Sequence, residues 1–142
     1  VNLQHSWQWA DKPVSCYIEY FHNGFSMGDI SALDQLTTEQ IIRLQRGQSC
    51  TLGDDYLAVG VQLHWASLLT ITPTLISQIN DNSQLFITDV DYNLSDSSRL
   101  IFGVRLALGD RGTEYGGLNL STDSQVTVAP TDQIYMRYEL YF

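Results

Sequence analysis

Four charged residues in neighbouring segments have the spacing of ion pairs across a β-hairpin. Asp89 and Asp91 lie two positions apart in "ITDVDYN", and Arg99 and Arg105 follow in "SRLIFGVRLALGDRG". Residues two apart in a strand share a face, and opposite charges on paired strands attract each other. Such charges either brace a filled interior or set the ion preference of a water-filled passage, and both alternatives stay open.

Other polar residues lack the spacing of a catalytic site. His5, His22 and His64 are candidate bases, and Ser67 and Glu19 are candidate partners. No motif in the sequence places a nucleophile beside a base. We therefore predict that the protein is not an enzyme and has no catalytic residues.

One run resembles the opening of a metal-binding loop. "DVDYN" begins as a calcium loop does, but Leu94 stands where the loop needs glycine and Leu100 where it needs a bidentate glutamate. The glycines of 109–132 follow a strand but open no helix, so they match no phosphate-binding loop. The sequence thus predicts no metal site and no cofactor.

Charged residues are scarce and mostly acidic. They make up 16% of the 142 residues, against about 25% in an average soluble domain, and Lys12 is the only lysine. The formal net charge of −9 argues against nucleic acid as a partner, because such binding needs clustered Lys and Arg. Cys16 and Cys50 are too few for a disulfide scaffold, and we expect two unpaired thiols.

Alternating hydrophobicity predicts seven β-strands. The later ones span about ten residues, which exceeds the usual length of about 5 to 6 in soluble proteins and matches the 9 to 11 or so of membrane strands. In the fourth strand, Pro73 removes one backbone donor, which predicts a bulge or locally broken pairing. Pro130 argues against a further strand over 125–128. The seven predicted strands cover residues 3–10, 15–23, 56–66, 68–80, 84–94, 99–109 and 132–142.

The connections sort by length onto the two ends of this meander. Short connections fall at one end, and the segments 24–55 and 110–131, with a tight turn between them, fall at the other. Outer-membrane barrels show this division into short turns and long external loops. In the first long segment, Thr37 and Gln40 form a capping box and predict a short helix near 38–46.

Four aromatic residues lie at strand ends beside the short connections. They are Trp9, Trp65, Tyr92 and Phe142. Aromatic rings prefer a boundary between water and lipid, although in a soluble domain the same rings pack in the core. We predict that the four form an aromatic belt at that end.

The alternating strands from 56 to 109 and the ending "YMRYELYF" resemble the C-terminal part of a bacterial outer-membrane β-barrel of porin-like type. Met136, Tyr138, Leu140 and the terminal Phe142 follow the family pattern, whereas Arg137 stands where the family often has glycine. The resemblance implies an all-β, antiparallel up-and-down transmembrane barrel in the bacterial outer membrane. Its role would be passive passage of small polar solutes or a structural one.

The same resemblance implies two partners and two sets of side chains. The partners are outer-membrane lipid and the barrel assembly machinery, which reads a last strand ending in Phe142. The set expected to line the lumen is Gln62, His64, Asp89, Asp91, Arg99, Arg105, Arg137 and Glu139. The set expected to face lipid is Leu57, Val59, Val61, Leu63, Leu100, Phe102, Val104, Leu106, Leu108, Met136, Tyr138 and Leu140.

Two further expectations concern strand number and the alternatives. Because single-chain barrels have an even number of strands, seven strands predict at least one more before Val1, with 1–142 as one barrel segment. The main alternative is a soluble all-β binding module, a lipocalin-like barrel or a sandwich with its apolar residues inside. An outer-membrane hydrolase is a third possibility.

Overall fold

The fold was obtained as a computed structural model, which describes residues 1–26, 31–46, 51–123, 126–128, 130 and 132–141. Cys50 and Phe142 lie outside these residues, so the predictions made for them have no structural counterpart. Cys16 is a free thiol, as predicted.

Seven long strands form one antiparallel sheet, which confirms the predicted all-β class and the seven-stranded meander. Each strand begins and ends within three residues of its predicted limits, Phe142 aside. The sheet order is β1-β2-β3-β4-β5-β6-β9. The strands are β1 Asn2–Trp9, β2 Lys12–His22, β3 Asp55–Ala66, β4 Leu69–Gln78, β5 Gln84–Ser95, β6 Ser98–Leu108 and β9 Gln133–Leu140.

Both edges of the sheet are free. β1 pairs with β2 on one side, β9 pairs with β6 on one side, and the described residues do not close the sheet into a barrel. Six antiparallel pairs separate β1 from β9, so the two edge strands run in the same direction. The described residues therefore form an open antiparallel sheet where a closed barrel was expected.

The short connections lie at one end of the sheet and the long ones at the other, as the sequence predicted. Ala10 and Asp11 join β1 to β2 with φ angles of 52° and 62°, the left-handed conformation of a two-residue hairpin. This tight turn explains why β2 begins at Lys12, earlier than predicted. The long connections meet at the opposite end, where Gly53 donates its backbone N–H to Glu114 at 3.2 Å.

The irregularities of β3 and β4 fall near the predicted position. The ladder between them has no paired residues opposite Thr72 and Pro73, which confirms locally broken pairing at the proline. A register shift lies closer to the turn, between His64 and Ala66. On its other side, Pro73 pairs with Thr88 of β5 without a shift.

The long connections contain small elements of their own. The predicted helix is present as α1, Thr38–Gln45, and its capping box is formed, since Thr37 N donates to Gln40 Oε1 at 2.8 Å and Gln40 N to Thr37 Oγ1 at 3.3 Å. A 3-10 turn covers Leu33–Gln35. The short strands β7 (Leu118–Asn119) and β8 (Thr127–Val128) pair with each other, outside the main sheet. The prediction of no strand over 125–128 is wrong for Thr127 and Val128, because Pro130 lies beyond the two paired residues.

Hydrophobic burial is sparse. The buried apolar residues are Val14, Ala32, Tyr56, Ile101 and Leu118. Each strand of the main sheet packs mainly on its neighbours within the sheet, and no described helix or second sheet makes extensive contact with either face. No helix among the described residues is long and apolar enough to span a membrane.

Candidate functional site: the polar face of the sheet

The strand register places all eight residues of the predicted lumen set on one face, called the polar face below. For example, Asp89 pairs with Gly103, which pairs with Tyr135, so one row crosses β5, β6 and β9 on this face. The neighbouring row is Asp91, Ile101 and Arg137. Neutral polar residues continue the polar face over the first strands: Gln4, Ser6, Gln8, Ser15, Thr70, Thr72 and Thr74.

The opposite, apolar face carries all twelve residues of the predicted lipid set. The same register adds Leu3, Trp7, Ile18, Ile71, Leu75, Phe86, Val90 and Ile134 to it. These side chains are not shut away against other protein, since Phe102 is 42% exposed and Met136 is 73% exposed. A continuous exposed apolar surface is unusual for a soluble monomer and marks an interaction surface.

An aromatic row crosses the apolar face at the short-turn end. The ring centroids of Trp9 and Trp65 are 6.4 Å apart, and Lys12 Nζ lies 3.8 Å from the centroid of Trp65. Tyr92 and Tyr138 flank Leu100 in the same row. Three of the four predicted belt residues therefore lie together at this end, and Phe142 is outside the described residues.

Two tyrosines lie flat across glycines on the polar face. Tyr17 of β2 crosses Gly60 of β3, and its hydroxyl lies 2.9 Å from Thr74 Oγ1 of β4. A Cβ at Gly60 would lie 2.3 Å from the tyrosine ring. The absence of a side chain at Gly60 is what lets a side chain of one strand reach a strand two places away.

The second tyrosine repeats this arrangement from the other side of the sheet. Tyr135 of β9 crosses Gly103 of β6 and donates its hydroxyl to Asp89 of β5. Gly60 and Gly103 are the glycines within the seven strands, and both lie on the polar face. These contacts were not predicted from the sequence, although a glycine at a polar-face position inside a strand is a signal for them.

Two arginines of the polar face form ion pairs. Arg99 donates to Asp91 through Nε at 2.9 Å and also through Nη2, which confirms one predicted cross-strand pair. Arg137 Nε lies 2.9 Å from Glu139 Oε1 on the same strand. Because Arg99 and Arg137 each have an acidic partner close by, these two pairs contribute little net charge to the polar face.

Arg105 has a different partner from the one predicted. Its guanidinium carbon lies 5.4 Å from the ring centroid of Tyr135, and it is Tyr135 that contacts Asp89. The sequence does not show how β6 and β9 align, so it does not show that Tyr135 lies next to Arg105. The ring of Tyr135 lies between the guanidinium of Arg105 and the carboxylate of Asp89.

The candidate bases are not brought together. His64 lies on the polar face and its buried Nδ1 has no hydrogen-bond partner, whereas His5 stacks on Trp7 of the apolar face with centroids 5.8 Å apart. His22 Nδ1 lies 2.7 Å from Asp55 Oδ1, and Tyr20 donates to the same oxygen at 2.6 Å. None of the hydrogen bonds of His22 within the described residues reaches a serine or cysteine, and those residues contain no group of three or more potential metal ligands.

At the long-loop end, a polar network covers the polar face. Glu114 accepts hydrogen bonds from Gly53 N at 3.2 Å, from Leu52 N at 3.3 Å and from the hydroxyl of Tyr56. The backbone N–H of Glu114 donates to Asp81 Oδ2 at 2.6 Å. Burial raises the pKa of Tyr115 to about 12, with Glu114 and Asp81 adding to the effect.

Comparison of the chain with protein-family models, with curated proteins and with solved structures finds no match. The chain is thus assigned to a class by its own architecture: an all-β protein with one antiparallel sheet that is polar on one face and apolar on the other.

Proposed function

We propose that this sheet is the wall of a porin-like β-barrel in a bacterial outer membrane. The apolar face contacts lipid, the polar face surrounds water, and small polar solutes pass by diffusion. The observation that carries the proposal is the exposed, predominantly apolar face that crosses seven strands, with no described helix or second sheet packed extensively on it. A water-soluble protein has a strong free-energy incentive to cover such a surface.

The height of the apolar face supports a membrane location. Leu57 and Trp65 lie eight positions apart on the same face of β3, which is about 26 Å along the strand. A tilt of about 40° reduces this to about 20 Å across the membrane, near the apolar band of about 25 Å in known barrels. The aromatic row then lies where lipid meets water on the short-turn side.

The unpaired edges of β1 and β9 determine how the sheet closes into a barrel. Backbone N–H and C=O groups have no water to bind inside a bilayer, so β1 and β9 both need a partner strand there. Because β1 and β9 run in the same direction, antiparallel closure needs an odd number of additional strands between them. We propose that the barrel assembly machinery completes this closure and recognises β9 through Met136, Tyr138 and Leu140.

The native tryptophans offer a direct test, because Trp7, Trp9 and Trp65 all lie on the apolar face. All three are replaced by phenylalanine, and one tryptophan is then introduced at Val61 or at Gln62, neighbours on opposite faces. The chain is folded into vesicles whose phospholipids carry bromine in the acyl chains, and fluorescence quenching is measured.

We expect strong quenching for Val61→Trp and weak quenching for Gln62→Trp, because bromine quenches through close contact in the acyl region. Equal quenching of the two variants would contradict the proposal. Recovery of the chain as a soluble monomer without vesicles would contradict it too, and would favour the soluble binding module.

A further inference from the structure

We infer that residues 110–118 form a lid over the polar face at the long-loop end, and that the contact of Glu114 with Tyr56 is the latch that holds it shut. The inference rests on the proposed function, in which the polar face surrounds the passage. The lid would make one mouth of that passage closed at rest.

The lid covers side chains that belong to the polar face. Tyr56 of β3 and Gln78 of β4 pair with each other in the register and share this face, and each is only 4% exposed. Ser83, in the turn between β4 and β5, is fully buried and accepts a hydrogen bond from Tyr115 N at 3.2 Å. Polar residues at the rim of an open sheet would be solvated, so the burial of Tyr56 against Glu114 and of Ser83 against Tyr115 shows that the lid lies on them. Gln78 lies against Gly53 of the first long connection.

The latch is held by one carboxylate that satisfies several donors. Glu114 binds the backbone N–H groups of Leu52 and Gly53 from the first long connection and the hydroxyl of Tyr56 from the sheet. Its own N–H is bound by Asp81 from the β4–β5 turn. Hydrogen bonds to a charged group are the stronger kind, and here one side chain joins three separate segments.

The outer side of the lid is braced by the first long connection. Asn119 N donates to Ser31 O at 3.0 Å, and Ala32, which is fully buried, pairs with Asn119. Further out, Asp34 accepts hydrogen bonds from the backbone and the hydroxyl of Thr122 at 2.9 to 3.1 Å. These contacts join one loop to the other and do not involve the polar face.

The space left beside the latch is small. A cavity of about 390 Å³ remains among Gln78, Asp81, Thr113 and Glu114. It holds about a dozen waters by volume, so a larger solute needs the lid to move. At the opposite end, turns such as Ala10–Asp11 are too short to reach over the polar face.

The experiment measures access to a cysteine on the polar face next to the residues that the lid contacts. Cys16 and Cys50 are replaced by serine, and Ala58→Cys is introduced on the polar face two positions from Tyr56. The chain is folded into vesicles, and the labelling rate with a bulky, membrane-impermeant maleimide is measured. Glu114→Ala removes the latch, and Asp34→Ala is the matched control because it removes a carboxylate that only joins the two loops.

We expect Glu114→Ala to raise the labelling rate about tenfold or more, and Asp34→Ala to leave it within about twofold. Tyr56→Phe, which removes one hydroxyl and keeps the ring, should raise the rate less than Glu114→Ala. Equal rates for Glu114→Ala and Asp34→Ala would overturn the latch. If Glu114→Ala fails to fold, an unchanged rate in Tyr56→Phe overturns it instead.

A second cysteine position separates the latch from the proposed function. Val61→Cys on the apolar face should stay unlabelled in vesicles, because the aqueous reagent does not enter lipid. Labelling of Val61→Cys in vesicles as fast as that of Ala58→Cys in the Glu114→Ala chain would reject the membrane proposal. In that case the latch is still tested, because the labelling rate of Ala58→Cys is compared with and without the Glu114→Ala substitution.

Discussion

The two faces of the sheet are built on the same seven strands but are held in different ways. On the polar face, side chains connect strands that are not neighbours: Tyr17 reaches Thr74, and Tyr135 reaches Asp89. On the apolar face, the side chains stand beside each other in rows, and the ring and charge contacts are confined to the edge strand and the two rims. The polar face depends on individual side-chain contacts, whereas the apolar face depends mainly on the hydrophobic character of its side chains.

The two faces should therefore tolerate different kinds of substitution. A surface that needs only to be apolar accepts changes of shape and rejects charge. A surface whose side chains are joined by hydrogen bonds tolerates a charged substitution. It does not tolerate a larger side chain at a glycine that is covered by a tyrosine ring. Substitutions on each face, each with a matched control, test this contrast.

A charge at the centre of the apolar face should have the largest effect. Val61→Arg should destabilise the folded state in lipid by about 2–4 kcal/mol, because an arginine at the middle of the bilayer is costly. The measurement is urea-induced unfolding from vesicles. Gln62→Arg, one residue away on the polar face, is the control and should change the unfolding free energy by less than about 1 kcal/mol. A reversed order would show that the faces are wrongly assigned.

A methyl group at Gly60 should have the next largest effect. Gly60→Ala places a Cβ 2.3 Å from the Tyr17 ring, which must move off the strand and lose its contact with Thr74. We expect a loss of about 1–3 kcal/mol by the same unfolding assay. Gly24→Ala is the control, since nothing lies within 4 Å of the added Cβ. If both variants unfold alike, the tyrosine does not depend on the glycine.

The ion pair of the polar face should contribute a smaller amount. Asp91→Asn should cost about 0.5–1 kcal/mol, because the side chain of Arg99 is 38% exposed and solvent screens the pair. The cost should shrink as salt is added. Glu39→Gln, which breaks the more exposed pair with Arg43 on α1, should have almost no effect. A salt-independent cost for Asp91→Asn would point to shape and not charge.

The smallest effect should be a gain. Thr88 is the threonine in the middle of the apolar face, between Pro73 and Val104. Thr88→Val replaces its hydroxyl with a methyl group and should stabilise the lipid-inserted state by about 0.5–1 kcal/mol. The matched change on the polar face, Thr72→Val, should give no gain. Equal gains at both sites would mean that both faces prefer apolar side chains.

The sequence predicted what depends on local periodicity. A period of two separated the faces correctly, because the direction of a side chain in a strand depends only on its parity. Capping chemistry located α1, since Thr37 and Gln40 are three residues apart. The division of loops between the two ends followed from counting strands.

The remainder depends on contacts between distant residues. Tyr56 and Glu114 are 58 positions apart, and neither residue type signals the other. Arg105 was assigned a carboxylate partner because the register of β9 against β6 has no signature in either strand. The early start of β2 was missed because Ala10 adopts a left-handed conformation that its residue type does not predict.

The outer flank of β1 has a consequence for handling the protein. Its eight residues contain no charge, no proline and no bulge, and they pair with β2 in unbroken register from Asn2 to Trp9. An unpaired strand edge of this kind pairs readily with other chains and starts cross-β aggregation. Natural sheets normally carry charged residues, prolines or bulges that prevent such pairing. In aqueous buffer, other copies of the chain should add to this strand, and the protein should therefore precipitate as fibrous material.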